Sequence, residues 1–274
     1  MRHEIIRVLM SIVLFMVLSS CNEKADPGML NNIDLDAFDI VDLTHALDSE
    51  TIFWPTSPMR LEHKELSYGT TDAGYFYSAY TLSLPEHGGT HLDAPIHFSS
   101  TGMTADQIPI RSLLGRCIII DVSEKAQSDR DYKLAVQDIL DFEAAHGRIE
   151  PRSIVLLRTG WSAYWPDVKS YLGDDTPGDA SRLSFPSFGA EAAAFLIEQR
   201  QVKAIGVDTA SIDRGQSTDF MVHQVVAAHN IPAFENLTNL DQLPQKGAFL
   251  VALPTKVGGG SGAPLRAVAF IPRY

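Results

Sequence analysis

The chain has 274 residues, of which 45% are hydrophobic, and a formal net charge of -12. That length suits one large domain with a well-buried core. Lysine and arginine nowhere cluster, which argues against a nucleic-acid partner, because neutralising phosphates needs a basic surface; a small molecule is the partner expected.

Taken in order, the chain opens with Arg2 and Arg7 around and before an apolar run over residues 8–18, followed by Ser19, Ser20 and Cys21. This pattern predicts a secretory signal over residues 1–20, since the run is too short for a comfortable transmembrane span. A cysteine directly after Leu-Ser-Ser resembles a bacterial lipobox, which makes Cys21 the expected lipidation site and the protein an exported, periplasmic lipoprotein. Its contact with the membrane would then be through that anchor alone. Residues 21–35 are polar and aperiodic and read as a tether. With Cys21 acylated, Cys117 has no disulfide partner. It sits in an apolar run and reads as an inert core thiol.

Folded sequence begins near residues 39–44, a short β-like run, and Trp54-Pro55 follows. Residues 74–84 are rich in aromatic and β-branched side chains that alternate, predicting a strand. That strand leads into the densest stretch of the chain, where His87, His91, Asp93 and His97 fall within a dozen residues. All four occupy odd positions, so an extended backbone points them to one face. A helix is the rival geometry for His87 and His91, but Gly88, Gly89 and Pro95 oppose it; the reading is a strand running into a loop. Imidazole nitrogens and a carboxylate oxygen are the donors that zinc or manganese select. A metal site is the consequence.

Beyond the motif, residues 103–114 read as a loop with a helical turn, and residues 117–122 as a buried strand. Residues 134–145 carry apolar positions at helical spacing with Gly147 as the stop. Residues 153–158 read as a buried strand, and residues 170–189, with their glycines, aspartates and proline, as a surface loop. A helix over 190–200, a strand over 204–208 and strands over 249–254 and 267–271 complete an alternation that predicts a single mixed α/β domain over residues 36–274. Gly258-Gly-Gly-Ser-Gly262 lacks the lysine and following helix of a phosphate loop and reads as a turn. A second cluster offers His223 and Glu235; His229, six residues from His223, would stand about 240° round a helix and cannot easily face the same ion.

The run His-x-Gly-Thr-His-x-Asp-x-Pro-x-His from His87 to His97 resembles the signature of the metal-dependent cyclase family, which includes bacterial kynurenine formamidases and isatin hydrolases. The similarity extends from about residue 40 to the C-terminus, with Pro264-Leu-Arg-Ala267 resembling the family's P-x-R-A after a glycine turn. The resemblance implies a mixed-sheet, swivelling β/α/β domain, a homodimer, and one or two divalent cations per chain, zinc first and manganese second. It places His87, His91 and Asp93 on one metal. Asp93 and Glu235 would bridge to a second that His223 also holds, with the histidine on a helix and the carboxylate on the next strand. His97 resembles the family's proton shuttle, and Trp54 matches an aromatic wall of the substrate pocket.

The activity implied is C–N hydrolysis of an aryl formamide of the N-formylkynurenine type by metal-activated hydroxide. The alternative is opening of a cyclic amide, as in isatin hydrolases. An exported address fits scavenging better than tryptophan catabolism, whereas Glu235 leans the other way, because the isatin branch has an amide at that ligand position. A non-catalytic binding lipoprotein is the reading from another class; it has no need of the shuttle histidine that this chain keeps.

Overall fold

The computed structural model describes residues 34–273; the predicted signal segment, Cys21 and the tether up to residue 33 lie outside them. Contacts divide the chain into Met1–Ala37 and Phe38–Tyr274, and all the elements named below belong to the second unit. Its strands are β1 (Phe38–Asp42), β2 (Glu62–Thr70), β3 (Phe76–Ser83), β4 (His91–Asp93), β5 (Leu114–Asp121), β6 (Lys133–Leu134), β7 (Ile154–Arg158), β8 (Ser187–Phe188), β9 (Ala204–Val207), β10 (Ala233–Glu235), β11 (Ala248–Pro254) and β12 (Gly262–Pro272). Its helices are α1 (Ser123–Ser128), α2 (Val136–His146), α3 (Val168–Leu172), α4 (Ala190–Arg200) and α5 (Met221–Ala228).

Strands β5, β7, β9 and β10 lie side by side in parallel. Antiparallel pairing then continues from β10 through β4, β12 and β11 back to β5. The circuit closes a seven-stranded barrel, and β1 lies antiparallel along the later part of β12. Closure removes the open edges of the sheet. The mixed α/β domain expected from the sequence is therefore present, as a barrel with helices on its parallel side.

Period two divides each parallel strand between two cores. Cys117, Ile119, Ile154, Leu156, Leu92 and Phe234 belong to one buried cluster with residues of β11 and β12. The alternate residues Ile118, Ile120, Val155, Leu157, Ile205 and Val207 belong to a second, shared with α2, α4 and α5. Strands buried on both faces read as unbroken apolar runs, which is why β5 and β7 were legible. Burial pushes the Cys117 thiol up to about 12, so it stays protonated and inert.

Two readings need correction. Residues 170–189 are not a surface loop: Tyr171, Leu172, Leu183 and Phe185 are buried in a third cluster with Ile52 and Trp161. Glycine and aspartate mark chain reversals, but the apolar residues between them decide burial. The strand predicted at 74–84 exists as β3, yet among the described residues it pairs only with β2, in a two-stranded ribbon separate from the barrel. Leu66, Tyr68, Phe76 and Leu82 of that ribbon are exposed.

Candidate active site

The site is built on the outer side of the β4–β10 pair. Leu92 and Phe234 stand opposite each other and enter the barrel core, so the strand period turns His91, Asp93 and Glu235 the other way. Glu235 is directly opposite His91, and Asp93 lies between Ala233 on one side and Gly262 on the other. Helix α5 carries His223 to the same spot, where its ring stands 4.5 Å from that of Phe98. Pro95 opens a single 3-10 turn, Pro95–His97, that brings back His97; its fixed φ suits a first helical position.

Hydrogen bonds decide which nitrogen of each ring faces inward. His91 Nδ1–H donates to the carbonyl of Gly89 at 2.9 Å, and His223 Nδ1–H donates to the Asp213 carboxylate at 2.7 Å. Both partners only accept, so a neutral ring carries its lone pair on Nε2. That nitrogen of His91 lies 3.2 Å from Asp93 Oδ1 and 3.4 Å from Glu235 Oε2. For His223 it lies 3.1 Å from Asp93 Oδ2 and 3.3 Å from Glu235 Oε1. Lone pairs facing lone pairs at these distances repel unless positive charge stands among them.

The ionisation of the site tells the same story. Burial pulls His91 down, but Asp93 and Glu235 outweigh it and raise the ring to about 9. Burial is likewise overcome at His223, which Asp213, Asp93 and Glu235 hold well above its ordinary value. Asp93 should rise on burial, yet His87, His223 and His91 keep it well below the usual carboxylate range. The carboxylates thus demand cations. A divalent ion satisfies that demand while accepting the imidazole lone pairs, and the mixed nitrogen and oxygen donors fit zinc or manganese. Ligand atoms of His91, Asp93 and Glu235 lie within 4.8 Å of one another, as do those of His87, Asp93 and His97, so Asp93 is common to both groups.

His97 differs from the rest. Its ring stacks on His87, centroids 3.9 Å apart and planes 20° apart, and among the described residues no hydrogen bond ties it. Partial desolvation lowers its pKa; Asp93 pulls against this, but His87 and His223 add to it, and the ring ends at about 4. A pocket of about 270 Å³ opens above the cluster, with Trp54, Phe53, Phe98 and Phe220 among its walls. Trp54 also packs edge-on to the buried Phe185 at 6.5 Å, so it serves wall and core together. His229 lies elsewhere: it is exposed, and its Nδ1–H donates to the Val225 carbonyl at 2.9 Å.

The sequence reading missed Asp213, Phe98 and Phe220. Asp213 is ten residues from His223 with no periodic relation to it. Phe98 was visible as the residue after His97, but nothing in the pattern said that it would face α5.

The cyclase family model matches residues 41–214. Isatin hydrolase of Roseibium aggregatum is 31% identical over 250 residues, covering 86% of this chain and 92% of that protein. Kynurenine formamidase of Bacillus mycoides is 28% identical over 232 residues, covering 83% and 95%. Among solved structures, isatin hydrolase bound to the product analogue thioisatinate superposes with a TM-score of 0.79 at 29% identity, over 87% of this chain and 94% of that one. Isatin hydrolase A from Ralstonia solanacearum gives 0.80 at 28% identity, over 92% and 99%. With the histidine and carboxylate cluster at the floor of an aromatic pocket, this match makes the chain a member of the cyclase family and a metal-dependent amidohydrolase.

Proposed function

We propose that the protein hydrolyses the C–N bond of a cyclic aryl amide of the isatin type. The observation that carries this reading is an untied histidine, His97, beside a cluster that demands cations, both under an aromatic slot. The greater identity to isatin hydrolase supports the cyclic substrate over the formamide expected from the sequence. His87, His91, Asp93, His223 and Glu235 would hold one or two divalent cations, which when bound would supply Lewis acidity for water and for the carbonyl. Trp54, Phe98 and Phe220 hold the aryl ring and keep bulk water from it. His97 takes a proton from the attacking water and returns it to the nitrogen as the C–N bond breaks. In a lactam that nitrogen stays on the ring, so the product is an aryl amine bearing the new carboxylate.

A second reading, hydrolysis of an N-formyl aryl amine, is favoured by Glu235, a carboxylate at the ligand position where the isatin branch has an amide. The deciding experiment assays zinc- and manganese-loaded protein against isatin, N-formylkynurenine, cyclic imides and lactones. Isatin should turn over with the highest kcat/KM; preference for the formamide selects the second reading, and inertness towards every amide sinks both. We propose further that the protein is a homodimer. Supporting this are the exposed aromatic side chains of the β2–β3 ribbon, which nothing in the same chain covers among the described residues.

A further inference from the structure

The glycine turn before β12 does more than reverse the chain. Because Gly262 pairs with Asp93 in β4, the preceding residue, Ser261, is set beside His87. The Ser261 backbone N–H and hydroxyl both donate to Glu86 Oε2, at 2.8 and 2.6 Å. The same hydroxyl oxygen lies 2.9 Å from His87 Nε2, while His87 Nδ1 lies 2.7 Å from Asp93 Oδ1.

A carboxylate only accepts, and a serine hydroxyl has one proton to give. That proton is committed to Glu86, so Ser261 meets His87 as an acceptor and the proton of the neutral ring stands on Nε2. The lone pair is then on Nδ1, towards Asp93 Oδ1 at 2.7 Å, an arrangement of two acceptors that is stable only when both bind a shared cation. This tautomer is the reverse of that in His91 and His223, whose Nδ1 is tied outward. The backbone explains the glycines: a Cβ on Gly262 would stand 2.6 Å from His87 Cε1 and 2.6 Å from the Leu92 carbonyl, and one on Gly260 would stand 2.9 Å from Glu86 Oε1. Side chains there would displace the ring or its support.

We infer that Ser261 and Glu86 are positioning residues of the metal centre, which fix the tautomer of His87 so that Nδ1 is its metal-binding atom. The inference rests on the metal-dependent reading of the site. Outer partners of this kind change metal affinity by roughly 10–100-fold when removed.

The test uses zinc-loaded full-length protein with ¹⁵N-labelled histidine, read by two-bond proton–nitrogen correlation, together with zinc affinity by chelator competition. The wild type should show His87 protonated on Nε2 while His91 and His223 are protonated on Nδ1. Ser261→Ala keeps the backbone N–H bond to Glu86, so its metal-free melting temperature should stay near the wild type while zinc affinity falls about 10–100-fold. Glu86→Ala frees the serine hydroxyl to donate to Nε2; it should weaken zinc similarly and give His87 a mixed tautomer signal. A His87 protonated on Nδ1 in the wild type, or unchanged zinc affinity in Ser261→Ala, overturns the inference alone. A wild type that binds neither zinc nor manganese overturns it together with the metal-dependent reading.

Discussion

His97 and Asp93 stand four residues apart, yet the structure gives them opposite surroundings, and their variants should separate accordingly. Asp93 turns one oxygen to His87 and the other to His223, so Asp93→Ala should lose most bound metal. His97 has no such ties, so His97→Ala should keep metal content and fold while kcat drops roughly 10²–10⁴-fold, the range of general acid–base catalysis. Metal and rate measured on one preparation decide this; metal loss in His97→Ala would make it a ligand instead. The grouping of His87, His91, Asp93 and His97 was legible in the sequence through a period of two, whereas His223 and Glu235, on a helix and a distant strand, were joined to it by the family resemblance. The orienting partners Gly89, Asp213 and Ser261 were not legible, since a carbonyl is invisible in a sequence and the other two come from distant loops. A different histidine contributes to the response to acid. His45 lies flat on Trp165, ring centroids 4.1 Å apart, with its Nε2 buried and without a hydrogen-bond partner among the described residues, and burial lowers it from 6.5 to about 4. Between those values the unfolded ring binds a proton that the folded ring refuses, so its contribution to stability is full above pH 6.5 and is lost as pH falls towards 4. His45→Phe keeps the stack and removes the titration. Its stability relative to wild type, from urea unfolding, should therefore improve between pH 7 and pH 5, and a constant difference would count against the assignment.

Helix α5 shows how one buried carboxylate can serve an element and the site at once. The residue that precedes the helix, Phe220, has φ of 51° and offers no capping side chain, so the first N–H groups need an acceptor from elsewhere. Asp213 supplies it: its two oxygens accept from Val222 N–H and His223 N–H at 3.1 Å each, and one also takes the His223 ring proton. Asp213→Ala should therefore lower the stability of the metal-free protein by about 1–2 kcal/mol, the upper part of the range for a lost cap, and weaken metal binding through His223. A urea titration with chelator present measures the first effect without the second; unchanged stability would show that water replaces the cap. At this scale the sequence was a good guide where a segment has one environment. Helix α4 spans the range expected for it, and α2 showed its apolar spacing but begins two residues later than expected, because Leu134 belongs to β6; Gly147, at φ 78°, terminates α2 as expected. Strand β4 is only three residues long; it was legible through chemistry rather than propensity. Strand β2 was missed because its residues alternate weakly and face solvent on both sides, so no burial period is written into them.

The barrel is closed and filled without the β2–β3 ribbon, and this makes the ribbon a question about the whole molecule. A two-stranded hairpin standing alone is marginally stable in water, yet this one displays Tyr68, Phe76, Tyr80 and Leu82 to solvent. Tyr68 and Phe76 meet edge to face with centroids 5.2 Å apart, so they form one aromatic surface rather than scattered side chains. Charge selects the partner. At -12 the chain repels its own copies over most of its surface, but from Leu66 to Pro85 the only charged residue is Asp72. A second copy can approach there with the least repulsion, and a two-fold contact would set the same aromatic surface of each ribbon against its mate. Sedimentation at micromolar concentration should thus give a dimer. Replacing Tyr68 and Phe76 together by Asp should give a monomer that keeps the far-UV spectrum of the barrel, because neither residue belongs to a buried core. Dissociation should also be favoured by low salt in the variant, where the added charges repel most strongly. A wild type that sediments as a monomer, or a variant that remains dimeric, would place the contact between copies elsewhere or remove it. A variant that dissociates and also loses kcat would show in addition that the neighbouring copy supports the pocket, which opens beside Phe53 and Trp54, a few residues before the ribbon begins.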